Sequence, residues 1–338
     1  MLKISENINL KSLNTFGIEV FGRYYAEINS EKEFLAIINE TVYKSSEKLI
    51  IGGGSNLLFT KNFEGIIIKN QIKGIEVVKE ETDFVYVKAG AGEVWHDFVM
   101  WCIHKNYSGL ENLSLIPGCV GASPMQNIGA YGVEIKDLFF ELEACEIISG
   151  KKKVFNKQDC EFGYRESVFK HKCKNKYIIT SVTYKLSKIP NFNTSYGAIN
   201  AELQNMGAQL NLKNISQAVI NIRSSKLPDP KVTGNAGSFF KNPEVTLLVH
   251  DKLKAEYSNL VSYPLDNGNF KLAAGWLIEQ SGLKGYEKNE AGVHDKQALV
   301  LVNKGNAKGG DIYSLSEYVL QTVFAKFGVK LEREVNII

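Results

Sequence analysis

Apolar residues recur at two spacings along the chain, and each change of spacing marks an expected element. Phe34, Leu35, Ile37 and Ile38 fall on one helical face, and Ser30 with Glu33 three residues on has the form of a capping box. A helix is therefore expected from there to about Lys44. Leu49, Ile50 and Ile51 read as a short buried strand, and residues 65–69, 75–79 and 84–89 alternate as strands. Helical spacing returns over about 93–105, with Val94, Phe98 and Trp101 expected to face inward. Segments 138–148 and 177–186 are β-rich and flank an irregular stretch containing GYRES, Gly163 to Ser167. Further helices are expected over 216–225, near 244–254, 271–281 and 311–326, with strands at 297–303 and 329–337. Pro228 and Pro230 forbid continuation of the helix before them and mark a boundary near Leu227.

Two glycine clusters interrupt this pattern. PGCVGASPMQNIGAYG, Pro117 to Gly132, sets Gly118, Gly121, Gly129 and Gly132 among small residues, so its backbone can lie against a ligand. Successive main-chain amides in such a loop form an anion site, and Ser123, Gln126 and Asn127 are expected to add neutral hydrogen bonds. On glycine content alone, tight turns between strands explain the stretch equally well. A second cluster shifts the balance, because the run Leu49 to Ile51 leads directly into Gly52, Gly53, Gly54, Ser55 and Asn56. The pair is expected to be a dinucleotide cradle, with Pro117, Gly118, Gly121, Ala122, Ser123, Gln126, Asn127 and Gly129 as the contacts of the longer loop. Neither loop is GxGxxG or a P-loop, which argues against a Rossmann site and an NTPase.

Composition narrows the class further. A chain of 338 residues with 44% hydrophobic residues suits two or three packed domains. A net charge of +3, with acids and bases nearly balanced, argues against a nucleic-acid surface. Five cysteines without a CxxC pair and five scattered histidines indicate neither disulfides nor a protein-bound metal. No apolar run approaches the ~20 residues of a membrane span, and residues 1–10 lack a signal core, so a cytoplasmic location is expected. Only Arg23, Arg165, Arg223 and Arg333 break an otherwise lysine-only choice of base, which marks them as candidates for fork-like recognition of carboxylate or phosphate.

The motifs together carry a resemblance. NTFG (Asn14 to Gly17), LIIGGGSNLL, LIPGCVGASPMQNIGAYG, GYRES, KLPDPK, GNAGSFFKNP (Gly234 to Pro243), AAGWLIEQSGLKG (Ala273 to Gly285), HDKQALVLVN and a terminal LEREV resemble the UDP-N-acetylenolpyruvoylglucosamine reductase family. The likeness covers nearly the whole chain in the family's order, and the segment around Ser195, Tyr196 and Gly197 is similar to the tyrosine loop of the type I branch.

The resemblance implies an α+β flavoenzyme of peptidoglycan synthesis. It implies a two-lobed FAD unit similar to the vanillyl-alcohol-oxidase fold, with residues 1–69 and the returning strand 328–338 as one lobe and 70–227 as the other. A smaller α+β substrate domain would span 228–327. FAD would be held noncovalently, with NADPH as hydride donor and UDP-N-acetylmuramate as product. By motif match, Arg165, Ser238 and Glu334 are the implied catalytic residues, and Tyr196, Lys226, Asn242, Lys284 and Gln297 the implied substrate contacts. No metal, membrane, nucleic acid or obligatory protein partner is expected.

The chemistry is consistent with those roles. Hydride arriving at the β-carbon of an enolpyruvyl ether leaves negative charge on the α-carbon and its carboxylate, so a fixed cation and a proton donor are required. Arg165 is suited to the first task and Ser238 to the second, while Glu334 can orient a further donor or a water. Taken alone, Ser238 reads as a turn residue and Glu334 as a solvated strand residue; the resemblance changes both readings. Arg333 stands where relatives of the family can have proline. His294, isolated in sequence, reads as a structural hydrogen-bonder. A hydroxyl-substrate oxidase of similar cofactor lobe would lack GNAGSFFKNP, and a nucleotide-sugar binding protein without catalysis would carry no flavin.

Overall fold

The computed structural model describes residues 3–338. These divide into two compact units, the first made of residues up to Ile8 with Phe21–Gly53 and Phe63–Ser225, the second of Asn9–Val20, Gly54–Asn62 and Lys226–Ile338.

In the first unit, strands Phe21–Ile28, Phe63–Asn70 and Lys48–Ile51 pair in parallel, with Phe63–Asn70 between the other two. Ile66, Ile67 and Ile68 are fully buried, which accounts for a continuous apolar run at the middle of a parallel sheet. The sheet packs beside helix Glu31–Ile37, where Ser30 Oγ accepts the Glu33 amide at 3.2 Å. The Glu33 carboxylate accepts from the amide of Asn29, one residue before the cap. The expected single helix to Lys44 is two pieces: amides of Asn39 and Glu40 tighten onto Ala36 and Ile37, Glu40 turns extended, and a short helix Thr41–Ser45 follows.

A five-stranded sheet completes this unit in the order Lys152–Asn156, Phe139–Glu146, Tyr177–Ser187, Phe84–Gly90, Ile75–Glu80, all antiparallel. Val85, Val87 and Ala89 alternate inward with Val182, Tyr184 and Leu186, and helix Trp95–His104 covers that face. The buried face of the helix is Trp95, Phe98, Val99, Cys102 and Ile103, not the expected Val94 and Trp101. Val94 is the extended residue before the first turn and lies exposed, so the helical phase starts one residue later; Trp101 packs only partly on the core. Helices Gly197–Asn205, which the apolar pattern did not indicate, and Leu212–Lys226 share a separate core of Ile199, Leu203, Ile215, Val219 and Ile222.

The second unit is a smaller α+β body. Strands Gly234–Ser238, Val300–Asn303, Ala291–Val293 and Glu287–Lys288 form one antiparallel sheet, and Glu244–Val245, Phe270–Leu272 and Ser262–Pro264 another. The helices expected near 244–254 and 271–281 are shorter, Leu247–Glu256 and Ala274–Gln280, because Glu244–Val245 and Phe270–Leu272 pair as strands instead. Helix Gly309–Phe327 buries Ile312, Leu315, Val319, Val323 and Phe327, a 3.6-residue stripe, and ends on Gly328 at φ +67°. The terminal strand is also shorter than the pattern suggested. Residues 329–335 make only an isolated bridge, Phe240 opposite Arg333, before Asn336–Ile337 pairs in parallel with Leu57–Leu58.

Candidate functional site

The two glycine clusters meet backbone to backbone within the first unit. A Cβ at Gly53 would lie 3.3 Å from Gly118 Cα, and one at Gly52 would lie 3.3 Å from Cys119 Cβ and Sγ. A side chain at Gly52 or Gly53 would press the facing loop back by a few tenths of an ångström, so glycine at both positions allows this close approach. Pro117, Gly53 and Ala122 are exposed on this ridge, whereas Gly129 is buried. On the second unit's portion of the shorter loop, Gly54 adopts φ +65° with Leu13 O only 2.0 Å from where a Cβ would sit, and its carbonyl accepts the Thr15 amide at 3.1 Å. Ser55 is half-buried beside it. Asn56 Nδ2 donates to the Glu334 carbonyl, and the Asn56 carbonyl accepts from Asn336.

The longer loop differs from expectation in where its donors point. Amides of Val120, Gly121, Ala122, Ser123, Met125 and Ile128 donate to main-chain carbonyls, so they do not form an open row for an anion. The side chains of Ser123 and Asn127 are likewise engaged within the protein. Ser123 is fully buried and its hydroxyl lies 2.6 Å from that of Tyr184. Asn127 is fully buried too, donating to Glu134 and to the Gly163 carbonyl while accepting the Lys136 amide. Both residues shape the loop from beneath, because a small polar side chain among turns is as readily used to satisfy backbone groups as to meet a ligand. Gln126 is half-buried and engaged within the protein. The glycine edge of Gly52, Gly53 and Gly118 is what a bound pyrophosphate can approach closely, and in that respect the cradle fits a dinucleotide.

Arg165 stands at the same loop. Its guanidinium donates to the Gly129 carbonyl at 2.6 Å, its own carbonyl accepts from Lys170, and its backbone is left-handed at φ +54°. A non-glycine residue held there is locally strained, and the surrounding bonds over-determine it. Arg223, singled out only as one of four arginines, donates to the Leu115 carbonyl at 3.2 Å; burial, with Arg165 nearby, lowers its pKa from the ordinary arginine value, against Tyr131. The Tyr131 ring packs edge-on against Tyr196 at 5.3 Å. Tyr196 therefore belongs to this aromatic and cationic cluster of the first unit. Asn112 fastens the loop that leads to it, donating to the carbonyls of Tyr131 and Asn193.

Ser238 and Glu334 come together in the second unit. The Glu334 amide donates to the Phe239 carbonyl at 2.9 Å and the Lys241 amide to the Glu332 carbonyl at 2.8 Å, so residues 239–241 run antiparallel to 332–334. Both site residues are half-buried. Arg333 donates to Ser316 and Glu317 of helix Gly309–Phe327.

The four other substrate-contact candidates of this unit are more dispersed. Lys226 is exposed at the end of helix Leu212–Lys226. Asn242 Oδ1 caps helix Ala274–Gln280 by accepting the Ala274 amide at 2.9 Å, which directs its Nδ2 group elsewhere. Gln297 Oε1 occupies the space a Cβ at Gly275 would take, at 2.8 Å, and the Gln297 amide donates to His294 Nδ1. Lys284 is exposed and paired with Glu279. Burial lowers the His294 pKa from the ordinary histidine value, consistent with a neutral ring that accepts that bond. Among the described residues no group of three His, Cys, Asp or Glu is arranged to hold a metal, and no helix is long and apolar enough to cross a membrane.

Similarity to known proteins completes this picture. Residues 23–151 match the model of an FAD binding domain, and with the paired glycine loops they define a flavoprotein. Residues 229–338 match the model described as UDP-N-acetylenolpyruvoylglucosamine reductase, C-terminal domain. The chain is 50% identical to the UDP-N-acetylenolpyruvoylglucosamine reductase of Flavobacterium johnsoniae over 100% of both chains. It belongs to the UDP-N-acetylenolpyruvoylglucosamine reductase family. Its fold matches that of the crystal structure of such a reductase from Thermus caldophilus, with a TM-score of 0.69 at 21% identity, covering 100% of this chain and 99% of that one. A VAO-type flavoprotein of Myceliophthora thermophila is similar in fold over 90% of this chain and 70% of its own, with a TM-score of 0.50 at 13% identity. The expected α+β flavoprotein class therefore holds.

Proposed function

We propose that this chain catalyses the NADPH-dependent reduction of UDP-N-acetylenolpyruvoylglucosamine to UDP-N-acetylmuramate for peptidoglycan synthesis. Full-length identity of 50% with a reductase of that name carries the reading. When bound, FAD supplies the two-electron relay between NADPH and the enolpyruvyl group. Gly52, Gly53, Gly54, Ser55, Asn56, Pro117, Gly118, Gly121, Ala122 and Gly129 are assigned to holding it through their backbones, with Ser123 and Asn127 supporting the loop from below. Residues 1–69 with 328–338 and residues 70–227 serve as the cofactor lobes, and 228–327 as the substrate domain.

Arg165 supplies the fixed positive charge that stabilises the enolpyruvyl carboxylate as electron density builds on the α-carbon. Its guanidinium is already held by Gly129, so little reorganisation is required as charge develops. Ser238 gives its hydroxyl proton to the α-carbon, and Glu334, whose amide donates to the Phe239 carbonyl, orients a second donor or a water. Tyr196, Lys226, Asn242, Lys284 and Gln297 bind the nucleotide sugar, the lysines acting as point charges toward its diphosphate. The enzyme works in the cytoplasm without nucleic acid, membrane or an obligatory protein partner. Visible spectra of the purified protein before and after NADPH, then after substrate, test the reading. A flavin band that bleaches with NADPH and returns with UDP-N-acetylenolpyruvoylglucosamine is the expected result; a colourless protein, or a bleached band that the substrate does not restore, overturns it.

A further inference from the structure

We infer that Asn235 is a positioning residue that turns Ser238 toward the reaction; this rests on the proton-donor role proposed for Ser238. Strand Gly234–Ser238 pairs with Val300–Asn303 in a register that slips by one residue, Asn235 standing opposite Val302 but Ser238 opposite Val300. Three residues on one strand thus span two on the other, the signature of a β-bulge. Because side chains alternate across a strand, an unbulged register would set Gly237 opposite Val300 and turn Ser238 to the other face. The bulge brings Ser238 to the face of Asn235 and leaves Phe239, fully buried, to the core.

Asn235 holds that bulge together. It is 4% exposed, its Oδ1 accepts the Gly237 amide at 2.9 Å, and its Nδ2 donates to the carbonyls of Pro228 at 3.1 Å and Thr233 at 2.9 Å. Both side-chain donors and the acceptor are thereby used, and its own amide donates to the Thr15 carbonyl at 3.0 Å. Gly237 sits at φ +69° with nothing within 4 Å of a Cβ built on it, so the space in front of the bulge is open. An apolar residue at 235 would leave the Gly237 amide without its partner, and the bulge that sets the Ser238 face would lose its clamp.

Stopped-flow absorbance on the FAD-loaded protein tests this with Asn235→Ala, Gly237→Ala, Ser238→Ala and the Asn235→Ala/Ser238→Ala pair. Misplacement of a reacting group by about 1 Å is worth on the order of 10²-fold in rate. Asn235→Ala is expected to slow flavin reoxidation by UDP-N-acetylenolpyruvoylglucosamine about 10- to 100-fold. Reduction by NADPH should stay within about twofold, and adding Asn235→Ala to Ser238→Ala should slow reoxidation little further, since residues acting as one unit are non-additive. Gly237→Ala strains the same bulge without a clash and should give the same pattern if Asn235→Ala does not fold. A purely structural role would lower Tm and slow both half-reactions together, or add its full effect in the double variant; either result overturns the inference. If Ser238→Ala is slow in reoxidation but neither bulge variant is, only this inference falls. If Ser238→Ala reoxidises normally, the proton-donor reading falls and this one with it.

Discussion

The Glu334 amide donates to the carbonyl of Phe239 at 2.9 Å, so two residues 95 positions apart are locked in one main-chain pair directly beside Ser238. The chain positions of the proposed proton-delivery pair are thus fixed by main-chain pairing.

Ser238→Ala should separate the two halves of the reaction. Flavin reduction by NADPH does not involve the hydroxyl and should stay near normal, while reoxidation by substrate loses its general acid, typically worth about 10² to 10⁴-fold. Stopped-flow traces of each half-reaction, with a thermal melt as control, check this. Equal slowing of both halves, or of neither, would remove Ser238 as the donor.

Arg165→Lys keeps the charge and discards the fork. Arg165 is held in a left-handed backbone with its guanidinium on Gly129, so geometry as well as charge should matter. Loss of a charge-assisted contact costs ~1.5 to 3 kcal/mol, so turnover should fall at least about tenfold. Unchanged kcat would exclude the proposed role.

Tyr196→Phe and Lys226→Ala should raise the substrate KM more than they lower kcat. Tyr196 is half-exposed with its ring against Tyr131, and Lys226 is exposed at a helix end, positions suited to binding and not to chemistry. Equal losses in kcat and kcat/KM would instead indicate interactions made only in the transition state.

The flavin should leave the polypeptide intact on denaturation. Neither glycine loop contains a histidine, and burial raises the pKa of the Cys119 thiol between them, against Lys73 and the Gly53 amide, so it is a poor nucleophile for a covalent tether. Acid precipitation followed by spectroscopy of pellet and supernatant decides the matter; yellow colour retained in the pellet would refute it.

Acidification should loosen the cradle through His96. Its Nδ1 accepts the Leu115 amide at 3.0 Å, and burial, with Arg223 nearby, holds its pKa below the ordinary histidine value against the opposing Asp97. The unfolded chain, with a pKa of about 6.5, therefore binds the proton more readily than the folded one. This residue's contribution is fully present above that value, declines as pH falls through it, and is lost below the lower folded value. Tm measured from about pH 8 to 5 should drop less steeply in His96→Gln, which keeps an acceptor but does not titrate; identical slopes would show that His96 is not involved.

Much of this protein was legible in the chain itself. Glycine in two clusters, the isoleucine run of a buried parallel strand and the stripe of Ile312, Leu315, Val319 and Val323 each follow from local steric or burial rules that a sequence displays directly. The motifs containing Arg165, Ser238 and Glu334 were legible only through their resemblance to a family, because taken alone Ser238 reads as a turn residue and Glu334 as a solvated one. Asn235 stands inside one of these motifs, and its place two residues before Gly237 is itself a turn signal.

Only tertiary structure decided which way those residues face. Ser123 and Asn127 have side chains that suit a ligand or a turn equally, and they are held by Tyr184, 61 positions on, by the Gly163 carbonyl, 36 positions on, and by Glu134, 7 positions on. The helix phase that exposes Val94 depended on where its first turn closed. The slip that sets Ser238 opposite Val300 depended on a second strand more than sixty residues away. Composition and spacing specify what a residue can do, because those are local properties; direction and pairing are set by non-local contacts, whose energies exceed the small preferences of a single position.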